Sequence, residues 1–184
     1  QPKRTEQGTF TGQFRGRVLD TLAAARPVGG TISTLQKRGK AVAALAQVAA
    51  LLPADWITYG NAVTVDASLT RGRAHYMSAH NKLKRSRGNR GVVTAATISA
   101  HESSAMLHEY MHHLQVMVPG LDAIFQAEHR RRTAGEPLLP IYAGDMRELG
   151  RRDHYTNWYQ GKEYADGGAL EVLAVAFEAL LGGA

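Results

Sequence analysis

Apolar residues along this chain recur with two different periods, and each change of period marks a predicted element. From Thr34 to Leu52, the positions Leu35, Val42, Leu45, Ala46, Ala49 and Leu52 share one side of a helix. Three short segments follow, Ala62 to Ala67, Arg73 to Met77 and Val92 to Ile98. They read as strands, with Gly-rich and charged turns between them. The helical period returns with Leu107, Met111, Leu114 and Met117/Val118; Ser103 or Ser104 can cap its start and Pro119-Gly120 ends it. Leu121 to Tyr164 is mixed, broken by Pro137, Pro140, Gly144, Gly150 and Gly161. Ala169 to Leu181 reads as a last helix, opened by Asp166-Gly167-Gly168 and closed by Gly182-Gly183. Residues 1 to 30 are polar and Gly-rich. They predict a leader or linker with one short helix, Phe14 to Ala25, before a domain spanning 31–184. Helix, small sheet, helix, irregular stretch and final helix predict an α+β arrangement.

Composition narrows the class. The chain of 184 residues, 44% hydrophobic and 21% charged, is long enough to bury a core as one domain. It has no apolar run long enough for a transmembrane helix, since Ala41 to Leu52 stops at Lys40 and Pro53, so a soluble protein is expected. Zero cysteines exclude a disulfide scaffold and a thiolate metal site. The start at Gln1, with no Met-led signal segment, predicts a domain carried within a longer polypeptide. The net charge of +6 concentrates in Lys82 to Arg90, in Arg130-Arg131-Arg132 and in Arg151-Arg152. Such runs can bind nucleic acid. Here Gly and Ser accompany the charges and no stacking aromatics alternate with them, which favours solvated loops.

The chemistry sits in His108-Glu109-Tyr110-Met111-His112, an HExxH motif. Two histidines four apart lie one above the other on a helix, so both rings can reach one metal ion. The glutamate after the first histidine faces the same place, where it can accept a proton from a water that the metal activates. His113 points about 100° away around the helix and is not a ligand to the same ion. His101, beside Glu102, reads as a strand-end or capping residue.

A catalytic zinc takes three protein ligands, and the extended HExxHxxGxxH pattern is absent, with Gln115 and Val118 in its Gly and last His positions. The last helix offers the best candidate. From Leu170 to Leu181 only Glu171 and Glu178 are polar, and seven residues apart they share a face. A carboxylate in so apolar a helix requires a cation or strong hydrogen-bond donors. We expect Glu171 as the ligand and Glu178 as support for a histidine ring through its other nitrogen. Asp145, Asp153, His154 and Asp166 are the alternatives. The stretch His154 to Tyr164 is dense in aromatics with polar tips, suited to stabilising an oxyanion. His154, Tyr155, Tyr159 and Tyr164 all qualify; His154 and Tyr155 stand beside Glu109 as the expected catalytic residues.

With these residues assembled, the segment from Arg73 to Gly182 resembles the zincin-like metallopeptidase domains of phage head-morphogenesis (minor head) proteins and related bacterial polymorphic toxins. Three elements carry the resemblance in order: His108 to His112, the segment from Tyr142-Ala143-Gly144-Asp145 to Tyr159-Gln160-Gly161-Lys162-Glu163-Tyr164, and Glu171-Val172-Leu173-Ala174. Ala174 stands where that pattern has a small polar residue. The resemblance implies a single Zn²⁺, a hydrolytic water, and a motif helix packed on a small mixed sheet with a C-terminal helix bearing the third ligand, Glu171. It implies a domain at the end of a longer chain, in a virion-associated or secreted setting, but no particular substrate; the metallopeptidase reading itself sets the expectation of a protein or peptide substrate. A toxin of this kind would meet a cognate inhibitor or immunity protein.

The expected function is therefore zinc-dependent peptide hydrolysis, with His108, His112 and Glu171 on the metal and Glu109 as base and then proton donor. The rival is a non-enzymatic phage or nucleic-acid-associated module with a relic or structural metal site. Intact Glu109 favours the enzyme, because a structural site has no use for an acid at that position.

Overall fold

The computed structural model describes residues 17, 20–21, 24–79, 95–142, 146, 148–152, 155, 158–164 and 170–182. Among them the architecture is α+β, with five α-helices and two small three-stranded sheets. The first sheet holds β1 (Thr64–Leu69), β2 (His75–Met77) and β3 (Ala95–Ala100) in the order β1-β3-β2. It is mixed: β1 runs parallel to β3, pairing Thr64 with Ala95, and β2 runs antiparallel to it, pairing Tyr76 with Ile98. Helices α1 (Lys40–Ala49) and α2 (Ala54–Gly60) precede this sheet. Helix α3 (Ser103–Met117), which carries the motif, leaves β3 after only two residues.

The predicted helix from Thr34 is shorter than its apolar pattern. Residues 33–35 run beside β1 instead, with Leu35 N–H donating to the Val65 carbonyl and Val65 N–H to the Ser33 carbonyl. The Gln36 side chain completes that edge by accepting from Ala67 N–H at 3.0 Å. Leu35 is consequently exposed, and the buried face of α1 is Ala44, Leu45, Val48 and Ala49. Helix α2 has no counterpart in the sequence reading; seven residues opened by Pro53 are too few to show a period. Of the predicted helix Phe14 to Ala25, the described residues Arg17, Asp20, Thr21, Ala24 and Ala25 are helical. The Ser cap of α3 also differs. Glu102 is the N-cap residue and no side chain caps the helix; Ser104 Oγ instead donates to Glu102 Oε1 at 2.9 Å.

Helix α3 is the axis of the molecule. From Ala105 to Gln115 every residue except His108 is buried, so α3 has neighbours on nearly all sides. Met106, Leu107, Tyr110, Met111 and Leu114 join Leu45, Val48, Leu52, Ile57, Val65, Ile98 and Leu173 in one core. Burying each such side chain stabilises by roughly 1.5–3 kcal/mol. Val118, ahead of Pro119, is extended, and Gly120 at φ 78° supplies the left-handed step that turns the chain into α4 (Leu121–Arg132). Sequence reading left α4 within a mixed stretch, because its exposed face is charged and only Leu121 and His129 are fully buried.

The second sheet is an antiparallel strip of two-residue strands, β4 (Leu139–Pro140), β5 (Leu149–Gly150) and β6 (Lys162–Glu163). A 3₁₀ turn, Trp158–Gly161, leads into β6. Gly161 there admits no side chain, since a Cβ would lie 1.8 Å from the Arg151 carbonyl oxygen. The last helix, α5 (Glu171–Phe177), packs along α3 and widens into a π-helical turn, Glu178–Gly182. Its Phe177 ring meets Trp56 of α2 with centroids 5.8 Å apart. No described helix is long and apolar enough to cross a membrane.

Candidate metal centre

Helix periodicity sets His108 and His112 one turn apart on α3, with ring centroids 5.0 Å apart. The apolar face of α5 presses against α3 and delivers Glu171, 1% exposed, between them. His108 Nε2 stands 3.0 Å, and His112 Nε2 3.3 Å, from the same oxygen, Glu171 Oε2. The three ligand atoms all lie within 4.8 Å of one another, a group that could hold a metal ion. Two donors each about 2.1 Å from a tetrahedral ion stand about 3.4 Å apart. The observed separations fit that requirement, and two imidazoles with one carboxylate suit a borderline cation.

The centre is supported from behind. Glu178 Oε2 lies 3.0 Å from His108 Nδ1, the nitrogen turned away from Glu171. A carboxylate on that nitrogen fixes the ring and its tautomer and makes the other nitrogen a better donor. The Tyr164 hydroxyl donates a short hydrogen bond to Glu171 Oε1, which leaves Oε2 to face the histidines. His112 Nδ1 is buried without a hydrogen-bond partner among the described residues.

Electrostatics follow from burial. Desolvation opposes charge on His108, yet hydrogen bonds to Glu171 and Glu178 outweigh it and raise its pKa to about 10. Burial likewise works against ionised Glu171, and the two histidines reverse the balance, holding it below the usual carboxylate range. A proton on His108 thus does for the buried carboxylate what a cation would do. Glu109, 5% exposed, has its pKa raised by burial; His108, His112 and His75 pull it down while Glu171 pushes it up. A carboxyl group with a raised pKa beside a cation site is placed to take and return a proton.

Of the other sequence candidates, Tyr155, His101 and His113 make their contacts elsewhere. The Tyr155 hydroxyl lies 3.1 Å from His129 Nδ1, with its ring under the Arg132 guanidinium, so it belongs to the His129 group on α4. His129 Nε2 in turn meets Glu163 Oε1 at 2.9 Å. His154, Asp145, Asp153 and Asp166 lie outside the described residues, as does the basic run Lys82 to Arg90. His101 is exposed at the end of β3 beside Glu102. His113 points away from the centre, with Nε2 on the Gly60 carbonyl at 2.9 Å, and burial lowers its pKa. In the basic runs, Arg131 pairs with Glu128 and Arg151 with Glu163.

In the sequence Tyr164 is one of four candidates and Lys162 has no expected role. The structure buries Lys162 with its ammonium 4.3 Å from the Tyr164 ring centre, 5.0 Å from that of Tyr159 and 2.6 Å from Glu148 Oε2. Glu148 also accepts from Arg73 at 2.9 Å, which joins the start of β2 to the second sheet. The signal was present in Gln160-Gly161-Lys162-Glu163-Tyr164: strand alternation puts Lys162 and Tyr164 on one side and Glu163 on the other.

No family model matches the chain, and neither a curated protein nor a solved structure is similar to it.

Proposed function

We propose that the chain is a zinc-dependent metallopeptidase of the Glu-zincin type. One observation carries the reading: His108 Nε2 and His112 Nε2 converge on Glu171 Oε2, with Glu109 buried beside them on the same helix. His108, His112 and Glu171 would hold the ion. Zinc held by these residues would supply Lewis acidity toward a peptide carbonyl and would lower the pKa of an attacking water toward about 7. Glu109, buried on the same helix as the two histidines, is the group that would accept the proton of the attacking water and pass it to the leaving amine. Glu178 fixes the His108 ring, and Tyr164 fixes the Glu171 carboxylate. The low exposure of Glu109 and Glu171 keeps water out of these contacts and so strengthens them. The order of the three sequence elements supports a domain carried by a phage head-morphogenesis protein or a polymorphic toxin.

The test compares wild-type protein with Glu109→Gln, both refolded with zinc, by elemental analysis and by mass spectrometry of a peptide library. Wild type should hold about one Zn²⁺ per chain and cleave. The variant should keep the metal and lose activity at least about 10²–10⁴-fold, because an amide cannot accept the proton. Absence of bound zinc, or equal cleavage by both proteins, would sink the proposal.

A further inference from the structure

A cavity of about 400 Å³ has His129, Arg130, Arg151, Glu163, Tyr164 and Leu170 in its wall. Two of these residues tie it to the centre. Tyr164 bonds Glu171 through its hydroxyl while its ring remains partly exposed, and Leu170 is the residue just before Glu171. Tyr164 thus borders both the cavity and the metal centre.

Among the described residues of this wall, one cation has no carboxylate partner. Glu163 is already matched, by Arg151 Nε at 2.7 Å and His129 Nε2 at 2.9 Å. Arg151 also donates to the Glu136 carbonyl, which fixes its guanidinium in place. Arg130, exposed in the last turn of α4, forms no ion pair among the described residues. Arg151 and Glu163 thus offset each other, and Arg130 is the wall cation with no carboxylate among the described residues. Guanidinium groups match a carboxylate through paired N–H donors, and the apolar Leu170 suits the methylene groups that carry such a carboxylate. We infer that this cavity recognises a carboxylate of the peptide substrate, either an acidic side chain or a chain terminus, through Arg130 with Arg151 as its fixed neighbour. The inference rests on the metallopeptidase reading and adds its substrate class.

The test has two arms. In the first, zinc-loaded protein receives peptides carrying Glu, Gln or Lys at single positions, each with a free or an amidated C-terminus. The expected result is kcat/KM about threefold to fivefold higher for Glu than for Gln at one fixed distance from the cleaved bond, the worth of one partly exposed ion pair. Arg130→Glu, at an exposed position that leaves the fold intact by circular dichroism, should turn that preference toward Lys. A preference confined to peptides with free C-termini identifies the chain terminus as the source. The second arm needs no catalysis: N-acetyl-Ala-Glu-amide and N-acetyl-Ala-Glu are titrated into metal-free protein by NMR, with the Gln counterparts as controls. Shifts at Arg130 and Tyr164 should appear with the Glu peptides, and Arg130→Gln should abolish them. Cleavage that ignores charge, together with equal binding of Glu and Gln peptides, overturns the pocket alone. Selective binding without any cleavage supports the pocket and counts against the peptidase reading.

Discussion

Glu171 and Glu178 are chemically identical and share a helix face, yet their surroundings give them different work. Glu171 is buried with one oxygen facing both His Nε2 atoms, whereas Glu178 is half-exposed on His108 Nδ1. Removing Glu171 deletes a charge that would contact the ion; removing Glu178 only loosens a ring. Glu171→Ala should therefore abolish tight zinc binding, while Glu178→Ala should weaken it about 10–100-fold. Competition titrations with a chromophoric chelator would measure both, and equal losses would contradict the assignment. Tyr164→Phe leaves Glu171 Oε1 without its donor and should also fall within the 10–100-fold range. Tyr155→Phe, against His129, should leave zinc affinity unchanged.

At the level of elements, the second sheet matters more than its two-residue strands suggest. Trp158–Gly161 and β6 place Lys162 and Tyr164 behind the metal centre, and the turn closes only because Gly161 lets the Arg151 carbonyl approach. Arg151 N–H donates to the Gly161 carbonyl at 2.9 Å in the same contact. A methyl group at Gly161 must push these backbones apart. Gly161→Ala should cost about 2 kcal/mol or more by chemical denaturation, at the upper end of ordinary single substitutions. It should also lower zinc affinity, because Tyr164 shifts with the turn. Unchanged stability would show that the hairpin relaxes freely.

Across the whole molecule, the Arg73–Glu148–Lys162 chain joins the two sheets. Hydrogen bonds from Arg73 and Lys162 hold the Glu148 pKa below its ordinary value of 4.5 against the opposing effect of burial. A depressed carboxylate contributes stability that is complete above the unfolded pKa and is lost as pH falls through the folded one. Stability measured by urea denaturation should therefore decline below about pH 4.5. Glu148→Gln should flatten that decline. It should also lower stability near neutral pH by about 3 kcal/mol, since it leaves the buried Lys162 ammonium without its carboxylate. An acid limb identical in variant and wild type would remove Glu148 from the account.

The sequence alone determined what local periodicity determines. Four-residue spacing on a helix brings His108 and His112 side by side wherever the helix packs, and an all-apolar last helix with two carboxylates requires that helix to be buried against something cationic. The α+β succession was legible for the same reason, since helical and alternating periods differ within a few residues. Tertiary structure decided the rest. Residues 33–35 joined the sheet edge rather than α1 because Val65 offered backbone partners. Helix α4 carries little apolar pattern, since only Leu121 and His129 of its length are fully buried. Tyr155 and Tyr164 look alike in sequence, and only the turn at Gly161 sends one to Glu171 while the other meets His129. Which carboxylate joins the two histidines depends on the depth to which α5 packs along α3, a long-range contact that no local pattern encodes.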